Sequence, residues 1–387
     1  MLLFISNGNA EDIIGSHLAQ LIRMPVQALP LVGRGEAYER AGAEVIGPKQ
    51  ELPSGGFPFG SAKNLVADLR AGFISQNLKQ WSTAWKSARK CSAVVVIGDA
   101  YALLIAVTFA KAKPIFHLNP LISSHYLEGQ TLRQRLARLN EIGAEDFLWY
   151  ERWAQRRAKA VYVRDSASED RLRKLGIPHA RFYGSFAMDI LPPPTRSLAG
   201  IVDGRPVLAL LPGSRGDVAF SLPRMLEATL HLPELQPLVA WASSFEGVKV
   251  PEDWTLTLKG EEMAIAEKGA HRVVLLRGYF SEILHQAKVA LGTAGTANEQ
   301  AAGLGVPVVG FPSHGPQYTM RFAQRQARLL GKALTLAQPY PPDIARAIRE
   351  VLEEERYSIA STAGKERIGP PGALPRIAAE ITETLNG

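Results

Sequence analysis

Ala290 to Pro312 reads A-L-G-T-A-G-T-A-N-E-Q-A-A-G-L-G-V-P-V-V-G-F-P. A short apolar strand runs into the small residues Gly292-Thr293-Ala294-Gly295-Thr296, the chain turns into a helix ending near Gly303 and Gly305, and a second apolar strand follows from Val306 to Phe311. This order predicts a β-loop-α-β unit. Small residues let a ligand approach the backbone, and the exposed amides and dipole at a helix start favour a phosphate by roughly 0.3 to 1 kcal/mol. Glu299 then stands one turn into the helix, where a ribose hydroxyl reaches it. A ligand-free reading fits the same residues, because Thr296 and Glu299 have the spacing of a capping box.

Outward from this unit the whole chain alternates strands and helices. In the first half, strands are expected at Leu2 to Ser6, Val26 to Leu31, Ala93 to Ile97, Ile115 to Leu118 and Ala160 to Val163. Helices are expected at Ile13 to Ile22, Lys63 to about Arg89, Tyr101 to Lys111, Leu132 to Asn140 and Trp149 to Ala158. Pro48 to Ser61, rich in Gly and Pro, reads as loop. In the second half, strands at Pro206 to Leu211, Leu238 to Trp241, Thr255 to Leu258 and Arg272 to Leu276 alternate with helices at Leu222 to Thr229 and Phe280 to Gln286. Helices at Gln317 to Leu330, Pro342 to Glu354 and Leu374 to Leu385 complete the series. Such alternation argues for parallel, doubly wound sheets. At 387 residues the chain is long for one core, and Leu191-Pro192-Pro193-Pro194-Thr195 is neither helix interior nor central strand. The expected division is residues 1–191, residues 196–365 and a final helical stretch at 366–387.

Composition narrows the class. A hydrophobic fraction of 46% with 21% charged residues is that of a globular chain. The 44 basic against 37 acidic residues give +7, which fits an anionic partner without choosing one. Cys91 is the single cysteine, so no intramolecular disulfide forms and a reducing cytoplasm is expected. The Ala93 to Ala110 stretch carries Gly98-Asp99 near its middle, and a centred Asp costs about 2.5 to 3.5 kcal/mol on membrane insertion, so it reads as strand, turn and helix.

Several residues stand where strands end. Leu210 to Asp217 is a strand closing in a turn with Gly213, Ser214 and Arg215, and a fixed guanidinium beside backbone amides suits a pyrophosphate; pairing of Arg215 with Asp217 is the alternative. After the first strand come Gly8, Asn9, Glu11 and Asp12, read either as a proton or hydroxyl acceptor or as a helix start capped by Asp12. Asp99 ends a very apolar strand, where desolvation raises a carboxyl toward general-base range, or where it is a satisfied buried polar group. His117 and His125 flank another strand end. No His, Cys and Asp grouping has metal-ligand spacing, and no metal is expected.

The runs L-L-P-G-S-R at 210–215 and G-T-A-G-T-A-N-E at 292–299, with Gly315-Pro316-Gln317-Tyr318-Thr319-Met320-Arg321, together resemble the C-terminal domain of lipid-A-disaccharide synthase and its relatives among the GT-B glycosyltransferases. Glu299 and Gln317 are also similar, more loosely, to positions of the peptidoglycan N-acetylglucosaminyltransferase. The first half matches in plan and in fragments, at Asn7 to Asp12, at Ile97-Gly98-Asp99 and at Tyr183 to Asp189. The resemblance implies two Rossmann-like, doubly wound domains facing a cleft, with a UDP-sugar in the second, an acceptor on the first, and a last helix crossing back to the first. The first loop, Asn7-Gly8-Asn9-Ala10-Glu11-Asp12, departs from the synthase's Gly-Glu-x-Ser-Gly-Asp pattern, which points to a different lipid acceptor. Leu291 and Pro307 stand eight residues either side of Glu299, where many retaining GT-B enzymes carry a second glutamate, so inversion is favoured.

The expected activity is metal-independent transfer of a hexose, of N-acetylglucosamine type or another, from UDP to a lipid or glycolipid hydroxyl, without a cofactor. Gly213, Ser214, Arg215, Thr293, Gly295 and Thr296 hold the pyrophosphate in this reading, Glu299 the ribose, and Gln317 or Arg321 the sugar. Asp99 is the first choice for the base, with Glu11, Asp12 and His117 behind it. Two rivals are a UDP-sugar 2-epimerase and a sugar-nucleotide-binding protein without turnover. The partners expected are a UDP-sugar, the lipid acceptor and an anionic membrane surface, with no nucleic acid. Between Pro53 and Arg89, Phe57, Phe59, Phe73, Trp81 and Trp85 interleave with Lys63, Arg70, Lys79, Lys86 and Arg89. That pattern predicts peripheral docking on the cytoplasmic side of the membrane, with a buried helix face as the alternative.

Overall fold

The computed structural model describes residues 1–48, 73–110, 112–131, 133, 145–213, 216–315 and 317–387. Most of the Pro48 to Ser61 loop, the first part of the expected Lys63 to Arg89 helix, nearly all of the Leu132 to Asn140 helix, and Ser214 and Arg215 lie outside these residues. The chain forms two compact units, Met1–Ile190 with Pro371–Gly387, and Leu191–Pro370.

In the first unit a parallel sheet has the order β3-β2-β1-β4-β5-β6-β7. Its strands are β1 (Leu2–Ser6), β2 (Val26–Pro30), β3 (Glu44–Val45), β4 (Ala93–Ile97), β5 (Ile115–Asn119), β6 (Ala160–Val163) and β7 (Ala180–Arg181). The helices are α1 (Asn9–Leu21), α2 (Glu36–Arg40), α3 (Phe73–Ala88), α4 (Ala100–Phe109), α5 (Trp149–Gln155), α6 (Ser166–Lys174) and α7 (Phe186–Asp189). Both sheet faces are covered, which is why β4 is the unbroken apolar run A-V-V-V-I, buried at every position. On one face Ala84 and Ala88 of α3, Ala102 and Leu103 of α4, Ala154 of α5 and Leu172 of α6 share a core with Leu3, Ile5, Val94 and Val96. Ile14 and Leu18 of α1 and Tyr38 of α2 pack on the other, against Leu2, Phe4, Val95 and Ile97.

The second unit holds a sheet of order β10-β11-β12-β9-β8-β13-β14-β15. Its strands are β8 (Val207–Leu211), β9 (Gln236–Trp241), β10 (Thr255–Leu258), β11 (Met263–Lys268), β12 (His271–Arg277), β13 (Ala287–Gly292), β14 (Val308–Gly310) and β15 (Leu334–Leu336). Its helices are α8 (Val218–Thr229), α9 (Phe280–Gln286), α10 (Thr296–Gly303), α11 (Met320–Leu330), α12 (Pro341–Leu352) and α13 (Glu354–Ile368). Five strands run parallel with β12, while β10 and β11 add an antiparallel edge that the sequence reading only half anticipates, since β11 went unread. The chain then returns to the first unit as α14 (Ala373–Asn386), whose Leu374, Ile377, Ala378 and Ile381 are buried in the core beneath α1. Among the described residues no helix is long and apolar enough to cross a membrane.

Among the parallel strands of each sheet the order reverses once, between β1 and β4 and between β8 and β13. Open α/β sheets bind ligands at the carboxyl ends of strands beside such a reversal, because the flanking loops diverge there and leave a crevice.

Candidate functional site

Gly213, Thr293, Gly295 and Thr296 of the expected donor residues gather at the reversal point of the second unit; Ser214 and Arg215 lie outside the described residues. Thr293 N donates to Leu211 O over 3.0 Å, and Gly213 lies beside the Thr293 carbonyl, so the loops after β8 and β13 run together. α10 begins at Thr296 with Gly295 as its N-cap and no side-chain cap hydrogen bond. The capping-box alternative therefore fails on register: Thr296 is already helical, and Glu299 lies one residue beyond the position that reaches back. Gly295, the N-cap, has no side chain to occupy the first-turn amides of α10, and a helix start of this kind favours an anion.

Buried polar side chains fix this loop from below. Gln326 of α11 donates from Nε2 to Ala294 O and Gly295 O over 3.1 and 2.9 Å. Asn298, wholly buried, donates to Gly292 O over 3.2 Å and to Gln326 Oε1 over 2.9 Å, and Tyr318 Oη donates to the same Oε1 over 2.7 Å. Gly292 is required here, since a Cβ would stand 1.8 Å from Asn298 Oδ1. Phe322 stands beside Gly295. Asp217, buried after the Gly213 turn, accepts from Gln317 N at 3.0 Å, from Tyr318 N at 3.1 Å and from Ser313 Oγ at 3.2 Å. It thus anchors the stretch that presents Gln317 and Arg321, both exposed. None of Asn298, Gln326, Tyr318, Phe322 or Asp217 appears among the residues expected from sequence to bind, because nothing in a short polar motif says which member is enclosed. Replacing Asp217 by Ala strands the buried Tyr318 amide and the part-buried Gln317 amide, and we expect a loss of about 2 to 4 kcal/mol in urea denaturation.

The first unit gathers carboxyl groups at its own reversal point. Ser6 Oγ donates to Asp12 Oδ1 over 2.6 Å, and burial, with Glu11 adding to it, pushes the Asp12 carboxyl up to about 7 against the Ser6 bond. Asp12 is not the cap of α1: that position is Gly8, which has no side-chain cap bond, and Asp12 N already donates to Gly8 O over 2.8 Å. α1 accordingly starts at Asn9, earlier than the apolar pattern indicates, with Glu11 and Asp12 both buried. Asp99 caps α4, its Oδ1 accepting from Tyr101 N over 2.8 Å and more weakly from Ala102 N over 3.4 Å. Desolvation raises its pKa while these amides and Asn7 oppose the rise. Gly98 has φ +146°, and a Cβ there would lie 1.8 Å from Asn7 Oδ1, so the loops after β1 and β4 touch.

His117 is fully buried within β5, its Nε2–H donating to Gly98 O over 3.0 Å, and burial lowers its pKa to about 4. It braces the Gly98 turn as a neutral ring. His125 pairs instead with Glu128, Nδ1 to Oε1 at 2.5 Å. A carboxyl absent from the sequence reading completes the group: Glu151 of α5, buried, accepts from Asn119 Nδ2 over 2.7 Å. Burial first and the neighbouring Asp99 second push it up to about 8. Three carboxyls with raised pKa values, Asp12, Asp99 and Glu151, thus stand at the ends of β1, β4 and β5. Among the described residues no group of three or more His, Cys, Asp or Glu is arranged to hold a metal ion.

No protein-family model matches the chain, and no curated protein matches it either. Solved structures do. The calicheamicin glycosyltransferase CalG4 matches with a TM-score of 0.62 at 15% identity, over 100% of this chain and 98% of that one. Phytolacca americana UGT2, complexed with UDP-2-fluoro-glucose and pterostilbene, matches with a TM-score of 0.61 at 13% identity over the full length of both. The UDP-GlcNAc 2-epimerase of Neisseria meningitidis, bound to UDP-GlcNAc, matches with a TM-score of 0.51 at 13% identity, also over the full length of both. At these identities the likeness is one of fold, and the fold of this chain, two Rossmann-like sheets with their helices, is that of the GT-B glycosyltransferases and UDP-sugar 2-epimerases.

Proposed function

We propose that the protein is a UDP-sugar-dependent glycosyltransferase that moves a hexose to a lipid hydroxyl at a membrane surface, with inversion and without a metal. The observation that carries the donor half is the start of α10 on a glycine N-cap at the β8/β13 reversal point, braced by Gln326 and Asn298. A diphosphate at Thr293, Gly295 and Thr296 meets backbone amides and the helix dipole, which stabilise the charge left as UDP departs. Glu299 takes the ribose, Gln317 or Arg321 the sugar, and Arg215 is the sequence-level candidate for a second phosphate contact. In the transfer the acceptor oxygen bonds to the anomeric carbon, the bond from that carbon to the phosphate oxygen breaks, and the hydroxyl proton passes to a carboxylate. Asp99 or Asp12 takes that proton, since burial raises both carboxyls, Asp12 to about 7.

Glu299→Ala is expected to weaken UDP binding by about tenfold or more, the loss of one or two hydrogen bonds to a charged acceptor, with the melting temperature unchanged. Calorimetry with UDP decides this, and unaltered affinity removes Glu299 from the site. The 2-epimerase reading has the same fold behind it. It predicts an isomerised sugar nucleotide with no acceptor present, whereas the transferase reading predicts UDP release only when lipid is added; nucleotide-sugar chromatography with and without a total lipid extract separates them. A protein that binds UDP and never releases it from any UDP-sugar is a binding protein.

A further inference from the structure

Four of the six tryptophans lie on two helices of the first unit, α3 and α5, which both pack beside α4, and all four are exposed. Trp81 and Trp85 of α3 and Trp149 and Trp153 of α5, with Leu78 of α3 and Tyr101 of α4, are between 38% and 72% exposed. Trp241 and Trp254 of the second unit are buried. Such exposure goes against the buried-face alternative for α3. Its buried residues are Gln76, Gln80, Ala84, Ser87 and Ala88, with Gln80 Nε2 donating to Leu31 O over 2.8 Å, so the small and polar side lies on the sheet and the aromatic side is outermost. The three helices cover the same sheet face, and Trp81 Nε1 donates to Tyr101 Oη over 3.1 Å, joining the outer surfaces of α3 and α4.

The charges these three helices carry to solvent are cations; Asp99 stands at the start of α4 as its cap, and Asp146, just before α5, is paired with Arg171. Residues 73–90 contain Lys79, Lys86, Arg89 and Lys90 and no acid, residues 100–110 contain no charge but none acidic either, and residues 149–159 contain Arg152, Arg156, Arg157 and Lys159 with Glu151, which is buried against Asn119. Arg89 lies over the Trp85 ring at 5.0 Å and Arg157 over the Trp153 ring at 3.7 Å. Indole rings with cations beside them suit the boundary between acyl chains and anionic headgroups, where the ring is half apolar and half wet. A duplex needs the cations and not the indoles, and a single strand, which stacks on indoles, has no use for the exposed Leu78.

We propose that the outer surface of α3, α4 and α5 is a docking face for an anionic lipid bilayer. This deepens the lipid-acceptor reading, from which it takes its purpose; docking is measured without donor, and UDP affinity separately, so the two fail independently. The test uses the full chain with vesicles of phosphatidylcholine alone or with added phosphatidylglycerol. Co-sedimentation is expected only with phosphatidylglycerol, falling with salt as charges are screened, together with a blue shift of tryptophan emission. Trp81→Ser with Trp85→Ser, and Trp149→Ser with Trp153→Ser, are each expected to abolish most of the binding while leaving the melting temperature and UDP affinity unchanged. Reversing Lys79 and Lys86 to Glu tests charge without touching the indoles, each cation lost lowering partition about fivefold. Vesicle binding that survives both tryptophan pairs, indifference to anionic lipid, tight binding to a single-stranded oligonucleotide in its place, or a dimer that the same variants dissociate would each overturn the proposal.

Discussion

Asp99→Asn is expected to lower sugar transfer by about 10²- to 10⁴-fold, the contribution of a positioned general base, while UDP affinity and the melting temperature stay at the unmodified values. The substitution is clean because Asn caps a helix about as well as Asp: its side-chain oxygen accepts from Tyr101 N as Asp99 Oδ1 does, at 2.8 Å in the native chain. What is lost is basicity, together with the charge that helps raise Glu151. With the raised pKa of Asp99, the native turnover should climb with pH as the carboxyl ionises, and that rise should vanish from the residual activity of the variant. Near-native turnover would move the proton to Asp12, which stands at the neighbouring strand end and sits at about 7.

A second large effect belongs to Glu151 and appears in stability. Its carboxyl is raised from 4.5 to about 8 in the folded chain, so the folded state holds the proton after the unfolded chain has lost it. The stabilising effect of that proton is complete below pH 4.5, shrinks as pH rises, and is gone above about pH 8, where ionised Glu151 costs about 3 to 5 kcal/mol at 1.36 kcal/mol per tenfold. Glu151→Gln keeps an oxygen for Asn119 Nδ2 and cannot ionise. Urea denaturation should show the variant equal to the native chain at pH 4 and more stable by up to that amount at pH 9. Asp12, raised in the same direction, leaves a smaller decline with pH in the variant. Equal stability at both pH values would show that Glu151 ionises without cost.

The alternation of strands and helices was legible because buried parallel strands must be apolar throughout, as β4 and β8 are. The Gly213 and Gly295 turns were legible because small residues at strand ends have few other uses. Other features escaped for definite reasons. In W-Y-E-R-W the sequence gives Glu151 two exposed tryptophans and an arginine for neighbours, so only the fold reveals that it turns inward. β11 carries Glu267 and Lys268 at its end and pairs as an edge, which leaves no run of apolar residues to read. α13 buries only Ala360, Gly364 and Ile368, and so lacks the stripe that announces a helix. The aromatic side of α3 was read correctly as one surface; which way it faces depends on Ala84 and Ala88 packing closely on the sheet, a matter of size that periodicity does not encode.

α14 fills the core beneath α1, and Asp189, at the end of α7, accepts from Leu374 N over 2.7 Å and also from Gly372 N. The unit that the ribosome makes first is therefore the one finished last. While the second unit is being synthesised, Ile14, Leu18 and Phe4 lack the side chains of Leu374, Ile377 and Ile381 that cover them in the native state. During that interval the nascent first unit exposes an apolar seam of its own, and a ribosome stalled before residue 371 should yield a chain that chaperones hold and proteases cut, although its entire sheet has already been translated.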